Sequence, residues 1–161
     1  MTRVEYEVDI QAPVAEVFEY YTNPDNIKEA WPHEVVKDSY STSSSAHKKN
    51  EEGSEMKVKG EYMGMEKEMK LQVTEKEQDR RLVTRQTDGP FKKWESVQEF
   101  QGDQSRTHVR HTIDYELPTM GKVADMATGS GAEDKIRQGL EQSAQTVKQK
   151  LETGSGSART Q

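Results

Sequence analysis

The sequence predicts an α+β fold in which a strongly curved antiparallel sheet of six to seven strands wraps around one long C-terminal helix. Three observations carry that expectation. Between Ser130 and Glu152, Ile136, Leu140, Ala144, Val147 and Leu151 recur at three- and four-residue steps, which sets them on one face of a helix. From about Val35 to Leu117, apolar and polar residues alternate in successive runs separated by short turn signals, with no helical period. Strands joined in this way pair antiparallel. Finally, the helical stripe is narrow and no other segment offers a helix of matching length, so the stripe needs a sheet to lie against.

In chain order, Val4, Tyr6, Val8 and Ile10 alternate with acidic residues as a half-buried strand. Ala12-Pro13 ends it, and Pro13 is suited to open a helix bearing Val14, Val17, Phe18 and Tyr21. Asn23-Pro24 reads as the cap and first residue of a second short helix carrying Ile27, Ala30 and Trp31, stopped by Pro32. Val35 to Tyr40 is a strand, while most of Ser39 to Glu52 is Ser-, Lys- and Glu-rich without period and reads as a mobile connector, or a lid. Two strands follow, with Met56, Val58, Gly60 and Tyr62 on one and Met65, Lys67, Met69, Leu71 and Val73 on the other, turning near Gly64. Arg81 to Thr87, Phe91 to Gln101 and Thr107 to Leu117 complete the sheet, with turns at Asp88-Gly89-Pro90 and Gly102-Asp103. Thr119 to Thr128 is a weak helical turn, separated by Gly129-Ser130-Gly131 from the long helix. Ser130 and Glu133 fit a capping box for that helix, which is roughly 30 Å long. The element order is β-α-α-β-β-β-β-β-β-α, a single domain over residues 1–153 followed by a flexible tail, 154–161.

Composition narrows the function. The chain has 161 residues, of which only 30% are hydrophobic and 32% charged. That is lean for a packed globule, so either the core is small or polar residues face an internal space. The net charge of −6 argues against nucleic-acid binding, which needs a basic stripe. There is no cysteine and no metal-ligand spacing, so neither a metal nor another cofactor is expected. No apolar run approaches a membrane span and no signal peptide opens the chain, so the default expectation is a soluble, cytoplasmic protein, monomeric or weakly dimeric.

The segment Gly89-Pro90-Phe91-Lys92-Lys93-Trp94-Glu95-Ser96-Val97-Gln98-Glu99-Phe100 resembles a signature of the START-like (SRPBCC) superfamily, in its polyketide cyclase/dehydrase-like branch. So do Ile113-Asp114-Tyr115-Glu116-Leu117-Pro118 with Gly121, and the opening Ala12-Pro13-Val14-Ala15-Glu16-Val17-Phe18 with Asn23-Pro24. The resemblance spans roughly Val4 to Leu151. It implies the helix-grip fold of the pollen-allergen type, with an apolar cavity between sheet and long helix. Relatives often carry histidines two residues apart after the tryptophan; here those positions are Ser96 and Gln98, which puts histidine-dependent chemistry in doubt.

Against that background Met56, Tyr62, Met65, Met69, Trp94, Tyr115 and Met126, together with Phe100 and Met120, read as cavity wall. Any one of them alone is better explained by an ordinary core. Methionine suits loosely specified apolar ligands. Trp31, with Tyr20 and Tyr21, is expected at one end. Ser96, Gln98 and His111 are polar residues for which the inward and outward readings stand even, whereas Lys67 and Arg85 are read as outward. His108 and His111 face opposite sides of a strand and cannot share a metal. His111 is the one candidate acid or base, because a histidine ordinarily titrates near neutrality, although a satisfied interior histidine is the better reading of it. The leading expectation is a carrier or sensor of a small hydrophobic molecule such as a lipid, quinone, polyketide or aromatic metabolite. The alternatives are a cyclase or dehydratase using His111, with Ser96, Gln98 and Tyr115 orienting a carbonyl, and a protein-interaction module.

Overall fold

A computed structural model of the protein describes residues 2–42, 51–62, 65–118 and 122–154. Seven strands form one antiparallel sheet in the order β1-β7-β6-β5-β4-β3-β2. They are β1 (Thr2–Ile10), β2 (Val36–Ser41), β3 (Glu55–Tyr62), β4 (Met65–Glu77), β5 (Arg81–Asp88), β6 (Lys93–Gly102) and β7 (Thr107–Glu116). Helices α1 (Val14–Thr22) and α2 (Ile27–Ala30), joined by a 3-10 turn at Pro24–Asn26, link β1 to β2, and α3 (Lys122–Gln149) follows β7. The predicted fold class and element order hold.

The sheet curls because its pairing is interrupted. Register shifts occur between Lys70 and Leu71 and between Val73 and Glu75 in β4, and between Val36 and Asp38 in β2. Such bulges bend a strand and increase its twist. At the β2 irregularity, a Cβ on Gly60 would lie 2.1 Å from the carbonyl oxygen of Val35, so the two backbones meet only because residue 60 has no side chain.

Two boundaries differ from expectation. The long helix begins at Lys122, not Ser130, and runs through Gly129-Ser130-Gly131, so that segment is neither cap nor hinge. Once its C-terminal turns are docked, each added residue gains a hydrogen bond without a new nucleation cost, and two glycines do not end it. The strand expected over Val35 to Tyr40 is β2, which reaches one residue further into the expected connector, to Ser41. Ser39 is fully buried, donates its hydroxyl to the Pro24 carbonyl at 2.5 Å and accepts from the Lys28 amide at 3.0 Å. Residues 43–50 of the expected connector lie outside the described residues, as do the turn at Gly64, the expected helical turn's first residues and the tail beyond residue 154.

The buried stripe is the predicted one, with Leu140, Ala144 and Val147 of α3, and Leu151 of the π-helical turn Lys150–Gly154 that continues it, in the core. Removing a side chain such as Leu140 costs about 2–5 kcal/mol. The helix is held chiefly along β1. Gln145 donates to the Tyr6 hydroxyl at 3.0 Å, Lys148 to the Asp9 carbonyl at 2.6 Å, and the Gln11 amide to Glu152 at 2.8 Å. Because the rod leans on one margin of a curved surface, the middle of the sheet stands away from it.

Candidate functional site

The space left between α3 and the central strands is a cavity of about 970 Å³, at the upper end of the range for small-molecule sites, roughly 300–1,000 Å³. Its floor is the inner face of the sheet: Met56 and Val58 from β3, Met69 and Leu71 from β4, Leu82 and Thr84 from β5, Trp94, Ser96 and Gln98 from β6, His111 and Ile113 from β7. Strand alternation alone brings these together, since each is two residues from the next on its strand. Tyr20, Tyr21, Ile27 and Trp31 close it from the short helices, and Ile136, Gly139, Ser143 and Val147 roof it from α3.

Of the residues the sequence singled out, Trp31, Met56, Met69, Trp94, Ser96, Gln98 and His111 line this cavity. For Ser96, Gln98 and His111 the inward reading is therefore the right one. Three expectations need correction. Met65 is 60% exposed: it has the right strand phase, but Met65 to Glu68 are exposed on both faces of β4, where the strand runs beyond the rest of the core. Tyr115 is 1% exposed and packs with Val4, Ile113 and Leu140 behind Phe91 and Trp94; the inner face of β7 is core at that end and cavity only nearer His111. Phe100 is core too, edge-on to Phe18 at 5.0 Å. The side chains of Tyr62 and Met126, and Met120 as a whole, lie outside the described residues. Arg85 points outward to Glu95 at 2.7 Å. Lys67, read as outward, is exposed yet stands at the cavity's edge.

His111 is the most perturbed group. It is enclosed by protein, and burial alone pushes its pKa down to about 3, because an imidazolium there would lose its hydration. Its Nε2 lies 2.7 Å from Ser96 Oγ, and Tyr21 stands edge-on to its ring with centroids 6.5 Å apart. Burial thus favours the neutral imidazole at this place on the floor. Burial raises the Tyr21 phenol far above its ordinary range and pushes Tyr20 up to about 12, with Glu29 contributing. Tyr20 Oη is buried with no hydrogen-bond partner among the described residues, a loss of about 1–3 kcal/mol. Outside, His108 is clamped between Glu7 at 2.7 Å and Asp9 at 2.9 Å, on the opposite face from His111 as the strand period requires. In a second hollow, on the outer face of the sheet, Arg81 pairs with Glu75 and Glu99, and Arg110 with Glu7.

The sequence reading missed Thr84, Ser143 and Gly139. Thr84 follows Leu82 in the alternation of β5 and was legible. Gly139 carried a signal as well, an interior helical glycine that costs about 1 kcal/mol relative to alanine. Ser143 carried none. No group of histidine and carboxylate side chains arranged for a metal occurs among the described residues, and none of the described helices is long and apolar enough to cross a membrane.

A family model described as polyketide cyclase / dehydrase and lipid transport matches residues 1–148. Among solved structures, the Zhui aromatase/cyclase from Streptomyces sp. R1128 superposes with a TM-score of 0.69 at 15% identity, covering 99% of this chain and 96% of that one. A START superfamily protein from Mycobacterium smegmatis gives 0.65 at 15% identity, covering 94% and 97%. A major latex-like protein from Panax ginseng gives 0.57 at 12% identity, covering 84% and 95%. These likenesses show the fold alone. Comparison with curated protein sequences finds no match.

Proposed function

The chain belongs to the polyketide cyclase/dehydrase and lipid transport family, and from that premise we propose that it binds and carries a small hydrophobic molecule in the cavity between sheet and α3. The observation that carries this reading is the cavity itself: about 970 Å³, with a sheet floor built largely of methionine, leucine, valine, isoleucine and tryptophan side chains, a buried polar group of Thr84, Ser96, Gln98 and His111 on that floor, and other polar residues, among them Asn23, Asn26, Gln138 and Gln142, elsewhere on its lining. Apolar walls with sparse polar anchors are the usual form of a small-molecule site. Methionines at positions 56 and 69 and the broad aromatic surfaces of Trp31 and Trp94 accommodate shape without fixing it.

Native mass spectrometry of protein purified from its own source, followed by titration with environment-sensitive apolar dyes, tests the reading. A retained small molecule, or saturable dye uptake that Met69→Lys weakens, is the expected result. Protein that is empty as isolated and takes up no dye overturns it.

A further inference from the structure

The inner polar groups of the cavity are neighbours, and none of them is charged. Thr84 stands opposite Ser96 in the β5–β6 register, and Gln98 opposite His111 in the β6–β7 register, all buried. Ser143 adds a buried hydroxyl from α3. The charged residues that reach the cavity, Glu34, Glu61, Lys67 and Lys135, are all exposed and so belong to its mouth.

The Ser96–His111 pair has a definite hydrogen-bonding remainder. If the serine hydroxyl donates to Nε2, the ring proton sits on Nδ1 and is left over; if Nε2–H donates to the serine, the hydroxyl proton is left over. Either way the pair keeps one donor to spare. The Gln98 amide, which has no hydrogen-bond partner among the described residues, adds two more.

We infer that the cavity, as a carrier site of the kind proposed above, selects uncharged molecules bearing a ketone or hydroxyl oxygen, held at Ser96, Gln98 and His111, and rejects the matching carboxylate. A neutral oxygen placed there satisfies donors that apolar walls cannot. An ionised carboxylate in the same place is stripped of water with no buried cation to meet it, which is heavily disfavoured. The titratable groups inside are Tyr20, Tyr21 and His111, and burial keeps each in its neutral form around neutral pH, so none of them supplies the missing charge.

The test is displacement of a bound apolar dye by four probes of matched length: a long-chain methyl ketone, a primary alcohol, an alkane and a carboxylic acid. Ketone and alcohol are expected to bind roughly tenfold more tightly than the alkane, with affinity flat from about pH 5 to 9. The acid's apparent Kd is expected to rise about tenfold per pH unit above its own pKa. The triple change Ser96→Ala, Gln98→Leu and His111→Leu should bring the ketone down to the alkane's level. An alkane that matches the ketone on the wild-type protein overturns the inference. So does an acid that matches the ketone at about pH 8, since its head group then rests at the lysines of the mouth. If the dye and all four probes fail to bind, the carrier reading itself falls and takes this inference with it.

Discussion

Replacing Gly139 by alanine sets two effects of known size against each other. Glycine inside a helix costs about 1 kcal/mol relative to alanine, so helix propensity alone makes the variant more stable. The structure argues the opposite. A Cβ at position 139 would lie 2.7 Å from Cζ3 and 2.9 Å from Cε3 of Trp31, closer than carbon atoms pack. The indole rests against both core clusters, and the direction with room is the cavity it lines. Forcing a side chain to shift in a packed interior costs about 1–3 kcal/mol. The net loss is about 0–2 kcal/mol, or up to roughly 8 °C in Tm for a chain of this size, which overlaps no change. A double-mutant cycle separates the terms. In a Trp31→Ala background the clash is gone, and Gly139→Ala should stabilise by about 1 kcal/mol. The two sites should therefore couple by about 1–3 kcal/mol in denaturant unfolding. The intact-Trp31 variant should also bind apolar dye more weakly, because the indole has moved into the cavity. Additivity to within about 0.5 kcal/mol would refute the idea that Trp31 sits against the helix at this glycine.

Other outcomes follow from the same geometry. His111 stays neutral in the folded protein down to about pH 3 but takes up a proton near pH 6.5 when unfolded. Stability should therefore fall with acidification from about pH 6.5, at up to about 1.4 kcal/mol per unit, and His111→Gln should flatten that fall. His108 has the reverse sign: its pKa is raised by Asp9 and then Glu7, so its contribution is present in full below about pH 6.5 and is lost as pH rises through the raised value. Glu7 and Asp9, both lowered by His108, lose theirs as pH falls through their own lowered values. His108→Asn should remove the alkaline decline seen in thermal melts while leaving the His111-dependent fall below about pH 6.5. Gly60→Ala places a Cβ against the Val35 carbonyl oxygen, a backbone clash that no rotamer relieves, and should cost more than about 2 kcal/mol by denaturant unfolding. Met65→Lys, on an exposed strand end, should change stability by less than about 0.5 kcal/mol and leave dye binding intact, whereas Met69→Lys should weaken it; equal behaviour of the two would mean that Met69 does not face the cavity.

What the sequence determined by itself was everything written in short-range periods. The period of two in β1 and in β3 to β7, the three- and four-residue steps of α3 and the Pro and Gly turn signals state which side of each element is apolar, and the curled sheet around one helix follows. His108 and His111 were placed on opposite faces by counting alone. Tertiary structure decided what periods do not encode. Alternation says that Met65, Met69 and Tyr115 face inward, but not how far the neighbouring elements reach: β4 runs beyond the core at Met65, the β7 face is sealed at Tyr115, and only Met69 meets open space. The helix passes through Gly129-Ser130-Gly131 because docking elsewhere outweighs a local breaker. The protonation state of His111 comes from the protein packed around it, which no sequence neighbour supplies. Periodicity is a property of the backbone's own geometry, whereas solvent exclusion depends on segments far apart in the chain, and the candidate site is defined by solvent exclusion.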